Sequence, residues 1–332
     1  MSKFIGRLAD IYIGRETTRG TGVAAAFALP KSLFSLDLKT LTAPSTMGYG
    51  SIGEGNQQLV AQRWAQGAIE GDVLSKPFGL FLYALLGSCS SGSLIDSSYI
   101  HTFSLLNSNA HPSLSIYKSD EVNSELFELS MLNTLELKVK PDSLVTFNAE
   151  FWSKEPQDSK DPNAAPGAIA YVADAKFLGR HVTVKMATLT SGLAAATAMS
   201  VKSLTLKFNK NLVNNFVLGT LGPEDIINQK FEITGEIELD YDATTYKTIA
   251  KAGTYEALRI DMNNIDAQLG AVLATSSPEF LIDLSRVFID AWEPNYPNDA
   301  LVGQKFTFRA LYDITNSNII NACTLRNAVV TY

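Results

Sequence analysis

The feature that most constrains the fold of this chain is a phrase of small residues that occurs twice. "GVAAAFAL" occupies residues 22–29 and "GLAAATAM" occupies residues 192–199, with five of eight positions identical. Three further pairs of phrases follow in the same order along the chain: "SLDLK" at 35–39 with "SLTLK" at 203–207, "GAIEGD" at 67–72 with "GEIELD" at 235–240, and "TFNA" at 146–149 with "TFRA" at 307–310. Self-similarity over this span indicates two copies of one folding unit.

We therefore predict a tandem duplication, with a first domain over 1–155, a linker over 156–166 and a second domain over 167–332. A length of 332 residues is enough for two domains. The segment between the halves, "SKEPQDSKDPNAAPG" (153–167), contains three prolines and several acidic side chains. Such a composition is typical of a linker or an exposed loop.

Alternating hydrophobicity predicts that both halves are built mainly from strands. In "KFEITGEIELDY" (230–241) the apolar side chains fall on odd positions and the acidic ones on even positions, so a strand here has one apolar and one acidic face. Further strands are predicted at 33–41, 59–73, 100–106, 113–118, 126–139 and 144–153, and at 201–208, 255–262, 279–291, 303–314 and 324–332.

Each half also contains one segment with helix signals. Pro77 stands near the start and Gly87 at the end of the first, and Asp242 and Gly253 bound the second. We expect a mainly β fold of two tandem antiparallel β-sandwich or barrel-like domains, each with one flanking helix.

Charge and composition narrow the function. The formal net charge of −7 argues against a basic surface that grips nucleic-acid phosphates. Cys89 and Cys323 do not make a disulfide framework, and the start of the sequence lacks the order of a signal peptide. The longest apolar run, 77–87, is shorter than the roughly 20 residues that a membrane helix needs. These features predict a soluble protein of the cytoplasm with no membrane insertion.

Catalytic and metal-binding patterns are not found in the sequence. His101, His111 and His181 have no metal-ligand spacing, and neither cysteine lies in a nucleophile motif. We predict structural roles for all five side chains, no enzyme activity, no cofactor and no metal.

The polar pattern that does recur is acidic. Glu70 and Asp72 of the first half align with Glu238 and Asp240 of the second, where Glu236 adds a further carboxylate. A solvated sheet face explains such a stripe, and paired carboxylates could also form a glycosidase site. Several acids along one strand face resemble a surface field more than an acid–base pair.

The opening "DIYIGRETTRGTGVAAAF" resembles the N-terminal segment of siphophage-type major tail tube proteins. The likeness rests on a G-x-E-T-T-x-G-T pattern that starts at Gly14, with Glu16 as its acidic residue, and on the Ala-rich continuation. "GLAAATAMSVKSLTLKFNKN" resembles the start of a tube domain in the same group. The resemblance implies domains of two packed antiparallel sheets and a helix, of which six form a ring that stacks into a hollow tube. A chain with two such domains would close the ring as a homotrimer with pseudo-sixfold symmetry.

The same resemblance implies a location, partners and roles for residues. It implies a virion tail protein that is assembled in the host cytoplasm, encloses a tape-measure protein and phage DNA, and meets tail terminator and distal tail proteins at the tube ends. A DNA duplex is densely negative, so a carboxylate-lined wall would let it slide. The residues expected to face this lumen are Glu70, Asp72, Glu236, Glu238 and Asp240. The residues expected to contact the next ring, from the long connections 40–58 and 209–229, are Val213, Phe216, Val217, Leu218, Met47 and Tyr49.

Two alternatives stay open at this point. Another tail or baseplate ring protein, or a decoration protein, could share the domain without stacking indefinitely. A two-domain carbohydrate-binding or hydrolytic β-sandwich is disfavoured, because the chain has three tryptophans and no paired catalytic motif.

Overall fold

The computed structural model describes residues 3, 5–53, 55–161, 169–299 and 301–332. In the first half the strands are β1 (Asp10–Arg15), β2 (Phe27–Ala28), β3 (Leu33–Phe34), β4 (Asp37–Pro44), β5 (Gln58–Asp72), β6 (Gly87–Ser91), β7 (Tyr99–Leu105), β8 (Leu114–Ser119), β9 (Ser124–Val139), β10 (Thr146–Ser153) and β11 (Gln157–Asp158). In the second half they are β12 (Val182–Ala187), β13 (Val201–Asn209), β14 (Val213–Asn215), β15 (Asp225–Ile227), β16 (Glu232–Asp240), β17 (Glu256–Asn263), β18 (Glu279–Asn295), β19 (Gly303–Ala310) and β20 (Ile320–Asn327). The helices are α1 (Phe78–Leu86), α2 (Thr245–Ala252) and the short α3 (Leu273–Ser276).

The prediction of a mainly β fold is confirmed, and both predicted helical segments contain a helix. β1 and β12 are not among the strands predicted from the sequence. The predicted end of β18, at 291, is four residues early, because Pro294 and Asn295 are turn-forming residues that here continue an edge ladder with β19.

The two halves of the chain share one order of strand pairing. In the first half the ladders join β1, β8, β9, β10, β5 and β4 in that order, all antiparallel. In the second half they join β12, β17, β18, β19, β16 and β13 in the same order. A helix follows β5 in one half and β16 in the other.

Irregularities in the long strands β9 and β18 also recur at matching places. Asn133 is an extra residue in β9 opposite Glu150 and Phe151, and Asp290 is an extra residue in β18 opposite Thr307 and Phe308. A second shift in register lies within the ladder between β8 and β9 and within the ladder between β17 and β18. Such bulges bend a strand and increase its twist. They let β9 and β18 take part in two ladders along their lengths.

The repeated small-residue phrase runs back along the first strand of each half. In the first copy Ala28 lies opposite Tyr12, and the Leu29 N–H donates to the Ile11 carbonyl at 2.8 Å. In the second copy Ala198 lies opposite Lys185, and the Met199 N–H donates to the Val184 carbonyl at 2.8 Å. In the first half the phrase comes so close to β1 that a Cβ at Gly14 would lie 2.6 Å from the Ala24 carbonyl oxygen.

Two of the four phrase alignments disagree with the strand pairing registers. If Gly67 is equivalent to Gly235, then Leu36 is equivalent to Leu206, two residues from the match between "SLDLK" and "SLTLK". Likewise Phe151, not Phe147, is equivalent to Phe308, so "TFNA" and "TFRA" are out of step by four residues. The alignment of "GAIEGD" with "GEIELD" agrees with the registers.

One apolar core spans both halves. It includes Ile69 and Phe151 from the first half and Ile237 and Phe306 from the second. The chain between the halves is attached to this core, since β11 pairs with β9 and Phe177 is fully buried. The predicted linker over 156–166 is therefore structured at its start, and its residues 162–166 lie outside the described residues.

Strands of the two halves also pair with each other at two places. β13 pairs with β9 over Leu204 to Asn209, and β20 pairs with β7 over Thr324 to Asn327. Tyr332 packs against the first half so closely that a Cβ on Gly79 would lie 2.1 Å from its ring. Wherever the domain boundaries lie, the two halves form one packed unit.

Candidate functional site

Eight neighbouring strands from both halves form one continuous sheet with a polar face, here called the wall. Their order is β4, β5, β10, β9, β13, β16, β19 and β18, where β9 and β18 contribute their second parts. Residues directly opposite in adjacent strands point to the same face. One such row across the wall contains Glu70, Asn148, Glu136, Lys207, Thr234 and Arg309. The next row contains Asp72, Thr146, Lys138, Thr205, Glu236 and Thr307.

The opposite face of the wall is apolar and buried. Ile69, Ala149, Leu135, Phe208 and Ile233 are adjacent partners on five successive strands, and each is almost inaccessible to solvent. Alternation along each strand therefore fixes the polar face, because a slip of one residue would turn charged side chains into the core.

All five acidic residues predicted from the sequence lie on the polar face of the wall. Glu70 and Asp72 come from β5, and Glu236, Glu238 and Asp240 come from β16. The ladders place Glu70 and Glu238 at equivalent positions, each one step along from a buried isoleucine, Ile69 or Ile237. The structure thus brings the recurring acids onto one surface.

Lysines that the sequence analysis missed neutralise three of these acids. Asp72 is paired with Lys176 at 2.8 Å, Glu236 with Lys305 at 2.9 Å, and Asp240 with Lys202 at 2.5 Å. Lys305 of β19 lies opposite Glu238 of β16, and no local sequence pattern reveals this cross-strand relation. The hydrogen bond with Glu236 raises the pKa of Lys305, so this ammonium stays charged.

Glu70 and Glu238 carry no ion pair in the described part of the chain. Glu70 accepts a hydrogen bond of 2.7 Å from Asn148 Nδ2, and Glu238 accepts one of 3.1 Å from Ser203 Oγ. Further acids that the sequence analysis did not single out lie on the wall: Glu232 on β16 itself, and Glu136, Glu150 and Glu293 on β9, β10 and β18. The wall is a mixed polar surface with an excess of carboxylates rather than a uniform acidic stripe.

Glu150 is a partly buried carboxylate of the wall that stays ionised. Burial raises its pKa, but hydrogen bonds from Gln66, Trp152 and Asn133 outweigh that effect and leave the pKa below its ordinary value. We call the pairing of β9 with β13, with the contacts at its end, the joint between the halves. Asn133, the bulge residue of β9, lies at the end of this pairing, so the bulge connects the wall to the joint.

That joint is held by Asn133 and Lys210. The Lys210 N–H donates to the Asn133 carbonyl at 2.9 Å, and the Leu212 N–H donates to Asn133 Oδ1 at 3.1 Å. The Lys210 side chain is buried, and its Nζ donates to the Ala84 carbonyl in α1 at 2.9 Å. Burial, with a smaller effect of the Arg19 charge, lowers the pKa of Lys210 to about 7. Burial likewise lowers the pKa of the nearby His111 to about 4.

The residues predicted to contact a neighbouring ring occupy two different environments. In the second connection, Phe216 is half-buried against Trp64 of β5, with ring centroids 5.9 Å apart, while Val213, Val217 and Leu218 are exposed. The first connection is the tip of a β-hairpin formed by β4 and β5, and Met47 and Tyr49 are both exposed there. The second connection therefore packs on the first half of its own chain.

The wall has two unpaired edges. β4 pairs with β5, and the second part of β18 pairs with β19; among the described residues neither has a strand on its other side. Unpaired edge strands present backbone groups that can bind another strand. The wall can therefore be extended at both sides by further chains.

The histidines and cysteines are bound within the fold. His101 Nε2 interacts with the Val329 carbonyl at 2.9 Å, and His181 Nε2 with Asp266 at 2.7 Å. Burial raises the pKa of the Cys89 thiol to about 11, which keeps it protonated. Over the described ranges, no group of three or more His, Cys, Asp or Glu residues could hold a metal ion. Nor does any helix in that part of the chain have the length and apolar character to cross a membrane.

Lys210 predicts a specific dependence of stability on pH. Its pKa is about 7 when folded and about 10.4 when unfolded, so between these values the unfolded chain binds more protons and stability rises with pH. Lowering the pH from 9.5 to 7.5 should cost about 1 kcal/mol per pH unit from this group. Denaturant unfolding of the wild type and of Lys210→Met, measured across this range, should differ by that slope. Parallel curves for the two proteins would show that Lys210 is not buried at the joint.

Comparison with protein families gives one match that covers most of the chain. A family model described as "Phage tail tube protein" matches residues 6–310. The match spans the wall, the joint and both copies of the repeated phrases. No curated protein matches the chain.

Proposed function

We propose that this chain, which belongs to the phage tail tube protein family, forms rings of three copies that stack into the tube of a phage tail. Membership of the family makes it a structural component of the virion tail. The observation that carries the rest of the proposal is the pairing of β9 with β13, which joins the two halves of one chain edge to edge.

The chain would contain two tube domains, over 1–155 and 167–332, connected by 156–166. The shared order of six strands joined by five ladders, the matching bulges and the equivalent position of the small-residue phrase all support this division. Each domain supplies four strands to the wall, and the joint between β9 and β13 is then a domain–domain contact within the ring.

The joint within the chain gives the register for the joint between chains. The equivalent of β9 is β18, and the equivalent of β13 is β4. Transferring the pairs of the internal joint places Ala291 opposite Lys39, Glu293 opposite Asp37 and Asn295 opposite Ser35 of the next copy. Three copies joined in this way would close the wall and leave no unpaired edge.

The joint between chains differs from the internal one in two respects. The internal joint sets Glu136 against Lys207, whereas the proposed joint sets Glu293 against Asp37. Pro294, which has no backbone N–H, stands where the internal joint has Leu137. Proline and charge on an edge strand both reduce uncontrolled pairing. These differences favour a joint that forms during assembly rather than on every encounter.

The polar face of the wall would line the lumen. Glu70, Asp72, Glu236, Glu238 and Asp240 would then face phage DNA and, before ejection, a tape-measure protein. The excess of carboxylates over lysines disfavours binding of a polyanion, so DNA would pass without being held. Tail terminator and distal tail proteins would meet the two tube ends, and assembly would take place in the host cytoplasm.

Contacts between successive rings would use the exposed apolar residues of the second connection. Val213, Val217 and Leu218 lie at its surface, while Phe216 holds the connection on Trp64. Exposed apolar groups of this kind commonly mark interfaces.

Electron microscopy of the purified protein tests the proposal directly. At raised concentration we expect hollow rings or tubes with six similar lobes around the lumen and a mass per ring of three chains. Single rings that do not stack would instead favour another ring protein of the tail or baseplate. A protein that stays monomeric at all concentrations would contradict the proposal.

The register of the joint between chains predicts a gain of assembly from one substitution. Asp37→Lys replaces a like-charge pair with Glu293 by an attractive pair, as at Glu136 and Lys207, and cross-strand pairs contribute about 0.2–1 kcal/mol each. The substitution should lower the concentration at which rings form, by light scattering. The matched control Lys39→Glu, which changes the charge at the same edge in the opposite direction, should raise the concentration at which rings form. Equal assembly of the two variants would show that the strands do not pair in this register.

The lumen assignment predicts slower DNA passage after charge reversal. Phage carrying Glu238→Lys should assemble tails of normal length but eject DNA more slowly, because the new ammonium attracts phosphate. Glu238→Gln should have a smaller effect, and raised ionic strength should reduce the difference. Glu121→Lys makes the same charge change in the turn between β8 and β9, away from the wall, and serves as the control. Equal ejection rates for Glu238→Lys and Glu121→Lys would contradict the assignment.

A further inference from the structure

The two long connections are equivalent parts of the two halves. In the second half β14 and β15 pair Val213 with Ile227, and in the first half the end of the β4–β5 hairpin pairs Ala43 with Leu59. These pairs correspond under the same alignment that matches β4 with β13 and β5 with β16. We call the described residues 41–53 and 55–60 the arm, and residues 209–229 the docked loop.

The docked loop is attached to the first half through a continuous contact. Leu212 is 5% exposed and Ile226 is fully buried, and both pack with Leu129 and Met131 of β9. Polar contacts surround this cluster: the Arg63 N–H donates to the Leu221 carbonyl at 2.8 Å, and Arg19 is paired with Asp225. The docked loop also brings Lys210 onto α1.

The arm has no such partner within the described chain, although it carries more apolar surface. Met47 is 69% exposed, Tyr49 is 62% exposed and Ile52 is fully exposed. Leu41 and Leu59 are also exposed on the flanking strands. A cluster of exposed apolar side chains on one projecting hairpin indicates an interface.

The second half retains an uncovered surface at the place where the first half receives the docked loop. By the matching bulges, Arg286 and Phe288 of β18 are equivalent to Leu129 and Met131 of β9. Arg286 lies over the ring of Tyr255 at 3.7 Å from its centroid, and Phe288 contacts the same ring at 5.8 Å. Phe288 is only half-buried, whereas Met131 is completely buried.

The helices show the same difference. Most residues of α1 are buried, and Lys210 reaches its Ala84 carbonyl, whereas α2 has no buried residue. One half therefore has its flank covered by the other half, and the second half has the equivalent flank open. The side chains at this open flank, tyrosine, arginine and phenylalanine, are types enriched at interface hot spots.

We propose that the arm of one copy binds the second half of the neighbouring copy in the same ring, on the surface formed by Tyr255, Arg286 and Phe288. The docked loop is the template for this contact, and the occupant is a second copy of this chain. The inference rests on the proposed ring. It moves Met47 and Tyr49 from a contact between rings to a contact within the ring.

Cysteine cross-linking of assembled protein distinguishes the two contacts. In a Cys89→Ser background, Met47→Cys with Tyr255→Cys should form a disulfide between copies on mild oxidation. Within a ring each chain links to its two neighbours, so denaturing electrophoresis should show dimers and trimers and nothing larger. The control pair is Met47→Cys with Val122→Cys. Val122 is exposed in the turn between β8 and β9 and is not part of the proposed surface, so this variant should remain monomeric on denaturing electrophoresis.

The other outcomes are separable. A ladder that extends beyond trimers would place the arm between rings and overturn the inference while leaving the tube intact. Tubes that form without any cross-link would also overturn it. Failure of the Cys89→Ser protein to assemble at all would count against the proposed function itself.

The substitution Phe288→Lys provides a second test. That variant should abolish rings, whereas Leu218→Lys should leave isolated rings that do not stack.

Discussion

The structure depends on backbone hydrogen bonding between strands, because each strand of a large antiparallel sheet has N–H and C=O groups on both of its sides. The second part of β9 pairs with β10 on one side and with β13 on the other, which joins the two halves of the chain into one wall. The outer sides of β4 and of the second part of β18 are left without a partner strand in the described chain. Because the chain already contains one complete joint, the same geometry can be used between copies.

Much of the fold could be predicted from the sequence because alternation is a local signal. Strand β16 shows this well, since its odd residues Ile233, Ile237 and Leu239 are buried and its even residues form the polar face. The recurring acids Glu70 and Glu238 could be located for the same reason. Alternation fixes which face a side chain occupies, but not which strand lies beside it.

Features that depend on strand neighbours could not be predicted. The ion pair between Glu236 and Lys305 joins strands far apart in the sequence, and so does the packing of Phe216 on Trp64. The role of Glu16 in the opening motif is similar. Its buried carboxylate accepts hydrogen bonds from the backbone of Gly20 and Leu129, which ties the motif to β9. Burial raises the pKa of Glu16, and these bonds partly oppose that effect.

The bulges at Asn133 and Asp290 have a consequence for how such a chain can change its length. Each adds a single residue at the point where a long strand leaves one ladder and enters the wall, and so sets the parity of all wall residues that follow. Loss of either residue would turn Glu136 and Lys138, or Glu293 and its neighbours, toward the apolar interior. An insertion or deletion inside a wall strand therefore keeps the polar face only if it changes the length by an even number of residues or is absorbed by a bulge.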